Sequence, residues 1–319
     1  MIKGRFAIGN KSFLLSTPLI LHGLNPDSRK LQQLLRTAST PSRIVILTIV
    51  DKSWASPGSV LDLFLESLRI GEGTKHLLNH LVIVGFDFKA FRYCQFVHPH
   101  CIHLKDTGIG SYANEIKKRG IRKPSNRLNY HTLNWRRIQI LEEVVQSGYN
   151  VIYTDADVMW LRNPFPILVA EFELTIGCDS KSSNQSSINE YSSGGFFFMR
   201  SDEITIEFLK LWNLGRFLYP SMATELVCQR ITDKEFVEMV GLRIKHIDNR
   251  YYSGLCEPSI DTREIYIMHG NCCSDLDSKV HDLNLVLEDS RRFNALLAKD
   301  NSSALLSPSG KAPMKCSTR

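Results

Sequence analysis

The sequence predicts an α/β fold with a mostly parallel central sheet that helices cover on both faces. Apolar, β-branched runs at residues 44–49 and 81–84 have the composition of strands buried on both faces. A helical pattern lies between these runs, and strand–helix–strand alternation is typical of a parallel sheet. A third apolar run, at 151–154, ends in two closely spaced aspartates, so the sheet is expected to carry the functional residues at one edge.

The elements of this domain follow from periodicity and from residues that begin or end helices. Ser59 can cap a helix that Gly71 ends. Trp160, Asn163 and Pro164 are expected to stop regular structure after the aspartates. In chain order the predicted elements are strand 44–49, the helix between 59 and 71, strands 81–84 and 101–104, helix 134–147, strand 151–154, a strand within 193–199, helix 202–216, strands 242–247 and 265–268, and a helix from 279 toward 292.

The chain divides into three segments. Residues 1–40 form a poorly defined N-terminal extension, whose apolar part is shorter than the roughly 20 residues that a membrane-spanning helix needs. Residues 41–295 hold the α/β domain, and residues 296–319 have the Ser-, Pro- and Lys-rich composition of a disordered tail. No membrane anchor is therefore expected in this sequence.

Composition and charge limit which classes of molecule the protein is expected to bind. The 319 residues are 43% hydrophobic and 23% charged, as in an ordinary globular protein. A formal net charge of +6 permits anionic ligands. The basic stretch at 115–137 favours a solvated face, or a site for a nucleotide diphosphate or an acidic polymer, over nucleic acid, because no nucleic-acid-binding motif accompanies it. Nucleic acid is therefore not expected as a partner.

Eight cysteines are scattered along the chain without a Cys-x-x-Cys pair. That spacing excludes a zinc ribbon. It is compatible either with disulfides in an oxidising compartment or with reduced, buried thiols, and the sequence does not pair them.

Asp155 and Asp157 follow the strand at 151–154 and are one residue apart. Side chains at positions i and i+2 of extended backbone project the same way, so the carboxylates can converge at the carboxyl edge of the sheet. Paired carboxylate oxygens suit Mg²⁺ or Mn²⁺, which keep positions for water and substrate phosphate. A solvated turn is the alternative, and the apolar run before the pair favours the metal site.

Two further positions lie where they can complete this site. His269 follows the apolar strand 265–268, and neutral imidazole combined with carboxylates is a good ligand for Mn²⁺, although a lone histidine is more often structural. Arg136 and Arg137 lie on the helix before the aspartates, so either can reach toward the metal or pair with an acidic residue of its own helix. Arg137 is taken as a candidate for binding the cofactor.

Several motifs resemble those of the plant nucleotide-diphospho-sugar transferases of glycosyltransferase family 77. The motifs are DLFLES at 62–67, NHLVIV at 79–84, HPHC at 98–101, TDADVMW at 154–160 and HGNCC at 269–273. The resemblance runs from about residue 44 to residue 293. It implies a GT-A fold with a Rossmann-like sheet that binds a nucleotide sugar.

This resemblance also implies a reaction and a set of site residues. The reaction is metal-dependent transfer, with retention, from a donor such as a UDP-sugar to a polysaccharide or glycoprotein acceptor, by a type II Golgi protein of plant cell-wall biosynthesis. Asp155 and Asp157 are then catalytic and bind Mn²⁺ or Mg²⁺ together with His269. Lys279 binds the diphosphate in this reading, and a surface lysine is the alternative. Gly194 and Gly195 line the sugar pocket.

Two departures from the family pattern leave alternatives open. Ser193 stands where relatives usually have Asn, and Leu226 stands where they tend to have an amide. A catalytically inactive protein that binds nucleotide sugar or glycan is therefore one alternative. A metal-dependent phosphohydrolase is another, but it leaves the segment 269–273 unexplained.

Overall fold

The computed structural model describes residues 26–104, 126–180, 191–218, 234–255, 264–273, 275–297 and 312–316. Its helices are α1 (Pro26–Ala38), α2 (Val60–Ile70), α3 (Phe88–Val97), α4 (Asn126–Gln146), α5 (Glu203–Leu218), α6 (Lys234–Val240) and α7 (Leu276–Leu297). Its strands are β1 (Ile44–Val50), β2 (Leu81–Gly85), β3 (Cys101–Ile102), β4 (Asn150–Thr154), β5 (Val158–Trp160), β6 (Leu174–Ser180), β7 (Tyr191–Met199), β8 (Ile244–His246), β9 (Tyr252–Gly254) and β10 (Ile267–His269).

The main sheet has seven strands in the order β3-β2-β1-β4-β7-β6-β8. β1 runs parallel to its neighbours β2 and β4, and β3 continues the parallel part beyond β2. β7 runs antiparallel to β4 and β6, and β8 runs parallel to β6. The predicted α/β fold with a mostly parallel sheet is therefore confirmed.

Helices cover both faces of this sheet because the side chains of its strands alternate between two cores. Val45 of β1 lies in one core with Leu31 of α1 and Leu141 of α4. Ile46, its neighbour, lies in the other core with Phe64 of α2. The β-branched run at the start of the domain is thus buried on both sides, as its composition predicts.

A second, three-stranded sheet has the order β5-β10-β9. β10 pairs with β5 in antiparallel and with β9 in parallel. This pairing places His269 opposite Val158, the residue that follows Asp157. The small sheet therefore carries the distant HGNCC segment to the edge of the main sheet where the aspartates lie.

The short strand at residues 158–160 was not predicted from the sequence, but it ends at Trp160, where regular structure was expected to stop. Trp160 pairs with Ile267, because the edge of β10 satisfies the backbone of residues 158–160. Regular pairing ends only after Trp160, and a short 3₁₀ turn at Phe165–Ile167 follows Pro164. No local pattern predicts this strand, because its partner β10 lies far along the chain.

Other predicted boundaries shift, one of them by eight residues. The helix predicted to begin at 134 begins at Asn126. Ser59 does lie at the N-cap of α2, but its hydroxyl donates to the Ser53 carbonyl instead of capping the helix. The Asp62 carboxylate accepts the Gly58 N–H at 2.8 Å. The first turn of α2 is thus stabilised by an acidic residue within it.

The described parts of the two terminal segments are more ordered than the sequence predicts. Residues 26–38, within the segment expected to be poorly defined, form α1, which buries Leu31 and Leu35 against the main sheet. Residues 312–316 lie within the segment expected to be disordered, but they pack against α7 and are joined to the domain by a disulfide bond between Cys273 and Cys316. The expectation of disorder is wrong for these residues, because side chains far from them hold their backbone.

Several predictions fall outside the described residues. They include most of the basic stretch, the region of Leu226 and residues 1–25. Within the part of the chain that the structure describes, no helix is both long enough and apolar enough to cross a bilayer. The described cysteines are all in disulfides, and a second bond joins Cys94 to Cys101.

Candidate active site

Asp155 and Asp157 lie in the turn that joins the main sheet to the small sheet. Asp155 follows β4 directly, and its N–H donates to the Gly195 carbonyl of β7 at 2.7 Å. The N–H of Val158 donates to the Asp155 carbonyl at 3.2 Å and closes the turn. Both carboxylates therefore stand at the carboxyl end of β4 as predicted, but a turn brings them together and not the alternation of extended backbone.

Two residues hold the Asp155 carboxylate, one from β4 of the main sheet and one from α4. The Tyr153 hydroxyl donates to Oδ1 at 2.6 Å, and the Arg137 guanidinium lies 3.4 Å from the same oxygen. Arg137 is buried and its guanidinium also covers the Tyr153 ring. The structure thus brings Arg137 to the aspartates, whereas Arg136 donates to Gln139 of its own helix.

Asp157 is buried, and its two carboxylate oxygens differ. Oδ2 accepts a hydrogen bond from the Lys279 ammonium, which also donates to the Gly270 carbonyl at 2.8 Å. The Lys279 nitrogen lies 5.2 Å from the centre of the Trp54 ring. Oδ1 is buried and accepts no hydrogen bond. One oxygen of Asp157 is thus paired with a cation, and the other is available to a further positive group.

The surroundings shift the pKa values of the two aspartates in opposite directions. Burial raises the pKa of Asp155, and the charge of Asp157 adds to this rise against the opposing effect of Arg137. Burial would also raise the pKa of Asp157, but the ammonium of Lys279 and the imidazole of His269 outweigh it and lower that pKa. Asp157 is therefore the carboxylate that the protein holds most firmly in its charged form.

His269 ends β10 with its imidazole buried between the aspartates and β9. Its Nε2 lies 3.6 Å from Asp157 Oδ1, and its Nδ1 lies 3.2 Å from the Tyr252 hydroxyl. The Tyr252 ring is itself packed against Gly177, where a Cβ would come within 2.4 Å of it. A contact on Nδ1 from a fixed tyrosine sets the orientation of the ring, and Nε2 therefore faces the carboxylates.

Gly195 is required because β7 passes directly beneath His269. A Cβ at this position would lie 2.9 Å from His269 Nε2 and 3.0 Å from Val158 Cγ2. The structure therefore gives Gly195 a packing role under the histidine. Gly194 is its neighbour in β7, and the sugar contacts expected of both glycines stay predictions.

The donor set of this cluster fits a divalent cation. Asp155, Asp157 and His269 each offer one ligand atom, and these atoms lie within 4.8 Å of one another. Donors around an ion with bonds of about 2.1 Å are separated by no more than about 4.2 Å, so small side-chain rotations complete the site. The buried Asp157 Oδ1 gains the positive partner that its burial calls for. The two carboxylates suit Mn²⁺ or Mg²⁺, and the imidazole favours Mn²⁺ of these two ions.

Three aromatic residues of the site were not predicted from the sequence. Tyr153 lies two positions before Asp155, so strand alternation was a signal that could have found it. Tyr252 reaches His269 only because β9 pairs with β10, and Trp54 reaches Lys279 only through the packing of the β1–α2 loop. For these two residues no local pattern in the sequence points to the site.

Comparison with known proteins gives a family for the chain. The model of the nucleotide-diphospho-sugar transferase family matches residues 76–283. An uncharacterized protein of Arabidopsis thaliana is 36% identical over 264 residues, which cover 82% of this chain and 68% of that protein. A second uncharacterized protein of the same plant is 33% identical over 267 residues, covering 82% of this chain and 78% of that protein.

A shorter match involves a protein with a named activity. The UDP-galactose:fucoside alpha-3-galactosyltransferase of Dictyostelium discoideum is 29% identical over 113 residues. This match covers 33% of the chain and 16% of the Dictyostelium protein. The family match includes Asp155, Asp157, His269 and Lys279, so the whole cluster lies within the region that the family shares.

Proposed function

The chain belongs to the nucleotide-diphospho-sugar transferase family, whose members are glycosyltransferases, and from this premise we propose a metal-dependent transfer reaction. The donor is a UDP-sugar, the acceptor is a polysaccharide or a glycoprotein glycan, and Asp155, Asp157 and His269 hold Mn²⁺ or Mg²⁺. One observation carries the proposal: the ligand atoms of these three residues converge, and one of the residues, Asp157, has a buried carboxylate oxygen that accepts no hydrogen bond.

Residues of this chain position the metal ligands and a positive group for the departure of the diphosphate. When bound, the ion supplies Lewis-acid stabilisation of the charge that develops on the diphosphate, worth several kcal/mol. Lys279 lies against Asp157 and can donate to a phosphate oxygen from that position. Arg137 and Tyr153 hold Asp155, and Tyr252 holds His269, so the ligands need little rearrangement.

We propose that the reaction retains the anomeric configuration of the donor. Asp155 and Asp157 are both assigned to the ion, so neither is free to serve as a covalent nucleophile. In the corresponding mechanism the acceptor hydroxyl attacks from the face that the diphosphate leaves, and a diphosphate oxygen takes its proton. Mass spectrometry of the enzyme with donor tests this step, because a covalent glycosyl adduct would contradict it.

The proposed compartment is the Golgi lumen, with a role in plant cell-wall synthesis. The disulfides Cys94–Cys101 and Cys273–Cys316 support an oxidising compartment, because cytosolic proteins rarely keep such bonds. The similarity to two Arabidopsis proteins supports a plant setting. The UDP donor rests on the family resemblance and on the named donor of the Dictyostelium relative.

A donor screen tests the proposed function. The purified chain is incubated with a panel of UDP- and GDP-sugars, with Mn²⁺ or with EDTA, and release of the nucleotide is followed. We expect slow hydrolysis of one donor that requires the metal and that Asp157→Ala abolishes. Binding without turnover would instead support a catalytically inactive binding protein. Phosphate release from simple phosphate esters would support a phosphohydrolase.

A further inference from the structure

We infer that residues 312–316 form a C-terminal strap that positions His269 and Lys279, and that Asp282 is the residue that holds this strap. The inference rests on the proposed function, since the two positioned residues are those assigned to the metal and the diphosphate. It adds a positioning residue and a chain segment to the site at the sheet edge.

The first attachment of the strap is covalent. Cys316 is bonded to Cys273, at a sequence separation of 43 residues. Cys273 ends the HGNCC segment that begins at His269, so the bond fixes the far end of the loop whose near end is the proposed metal ligand. Cys316 is 5% exposed and belongs to the same core as Leu283 of α7, so the bond is anchored inside the protein.

The second attachment is a set of hydrogen bonds to one carboxylate. Asp282 Oδ2 accepts the backbone N–H groups of Met314, Lys315 and Cys316 at 3.0, 2.9 and 2.7 Å. The His281 ring contacts the other oxygen at 2.8 Å. Asp282 is 0% exposed, so its charge is compensated by these groups rather than by water. A buried carboxylate that accepts three backbone hydrogen bonds fixes the position of the strap specifically.

These attachments lie on the two elements that supply the C-terminal part of the site. Asp282 is about one helical turn after Lys279 on α7, and the two side chains therefore share one face of the helix. The strap joins this part of α7 to the end of the HGNCC loop. A closed ring of contacts then runs from His269 through Cys273, the strap and Asp282 to Lys279.

Gly270 connects this ring to the aspartates. Its N–H donates to the Asp157 carbonyl at 2.8 Å, and its carbonyl accepts from Lys279 at 2.8 Å. A Cβ at this position would lie 3.1 Å from the Leu283 side chain, so the loop lies directly against α7. If the strap is released, the loop and α7 keep this contact but lose the attachments at Cys273 and Asp282, and the separation of His269 from Lys279 is less well fixed.

The strap can be tested against a purely structural role with matched variants. Asp282→Asn weakens the hydrogen bonds to the strap with little change of side-chain volume. The double substitution Cys273→Ser with Cys316→Ser removes the covalent attachment. The controls are Glu173→Gln, at a buried carboxylate paired with Arg200 and Arg243, and Cys94→Ser with Cys101→Ser. The controls break the same kinds of interaction outside the ring.

The affinity for Mn²⁺ is measured by isothermal titration calorimetry on each full chain, well below its melting temperature. We expect both strap variants to bind Mn²⁺ about 10- to 100-fold more weakly, as is typical when the support of a metal ligand is lost. The control variants should melt earlier and keep the affinity of the unchanged chain. Strap variants that melt earlier and still bind Mn²⁺ normally would overturn the inference.

A measurement on the unchanged chain covers the case in which a strap variant does not fold. Hydrogen exchange of the amides of residues 314–316 is compared with and without Mn²⁺. Coupling between two sites is reciprocal, so bound Mn²⁺ should slow exchange in a strap that positions the ligands. Exchange that does not respond to bound Mn²⁺ refutes the strap alone, whereas an unchanged chain that binds neither Mn²⁺ nor Mg²⁺ refutes the metal site and the strap together.

Discussion

His269 Nε2 lies 3.6 Å from Asp157 Oδ1, although the two residues come from distant parts of the chain. The antiparallel pairing of β10 with β5 brings them together, because it sets His269 opposite Val158. A change in register of one residue would turn the histidine to the other face of the small sheet. The candidate metal site therefore depends on a strand pair of only three residues on each side.

Asp157→Asn tests this relationship directly. The amide keeps the shape of the side chain but removes the charge that both Lys279 and a bound ion need. We expect the donor hydrolysis that depends on Mn²⁺ to fall by at least about 100-fold, since stabilisation of the leaving diphosphate is lost. Addition of Mn²⁺ should also no longer raise the melting temperature, because a ligand stabilises only the fold that binds it. Retention of both properties would exclude Asp157 as a ligand.

Tyr252→Phe tests the orientation of the histidine. The phenylalanine ring keeps the packing on Gly177 but lacks the hydroxyl that lies 3.2 Å from His269 Nδ1. We expect the affinity for Mn²⁺ to fall by about 10-fold or more in a calorimetric titration. Tyr93→Phe is the matched control, because that hydroxyl donates to Asp62 on another part of the domain. Equal losses in both variants would argue for a general effect on stability.

The sequence predicts the aspartate pair well because the signal is local. The apolar strand delivers both aspartates to its carboxyl end, where a turn brings their side chains together, and strand alternation explains the contact of Tyr153. The strand Val158–Trp160 was not predicted, because its partner lies far along the chain. The strap was missed for a related reason: the partners of Asp282 are backbone amides, which leave no pattern in the side chains.

Gly195→Ala tests the close approach of β7 to the histidine. The added methyl group would lie 2.9 Å from His269 Nε2, so the ring or the strand must move. We expect the free energy of unfolding to fall by about 1–3 kcal/mol and the affinity for Mn²⁺ to fall with it. Gly85→Ala is the control, since its Cβ would lie 2.5 Å from the Phe91 backbone at another strand end. This control should lose stability and keep its affinity for Mn²⁺.

Because of Glu173, we expect the free energy of unfolding to change with pH in the acid range. Hydrogen bonds from Arg243 outweigh burial and lower the pKa of Glu173 from 4.5 to about 2. A carboxylate whose pKa is lowered on folding adds stability above its unfolded pKa, and that stability is lost as the pH falls toward the folded value. Glu173→Gln should therefore lower the free energy of unfolding by on the order of 2 kcal/mol at pH 7.

The measurement for Glu173 is denaturant unfolding of both chains across the acid range. The difference between them should shrink as the pH falls from 4.5 to about 2, where the carboxylate of the unchanged chain becomes protonated. A difference that stays constant over this range would show that the variant acts through packing and not through the charge. Donor hydrolysis at neutral pH should be unchanged, since Glu173 pairs with Arg200 and Arg243 away from the aspartates.

Lys279→Gln separates binding of the metal from stabilisation of the diphosphate. The ammonium of Lys279 competes with a bound ion for Asp157, so its removal should leave the affinity for Mn²⁺ unchanged or raise it. Donor hydrolysis should nevertheless fall by about 100-fold, because a positive donor to the leaving group is lost. Lys210→Gln is the control, since Lys210 pairs with Glu207 on the exposed side of α5 and should affect neither property. A parallel loss of Mn²⁺ affinity and hydrolysis in Lys279→Gln would instead indicate that Lys279 supports the ligands and does not act on the diphosphate.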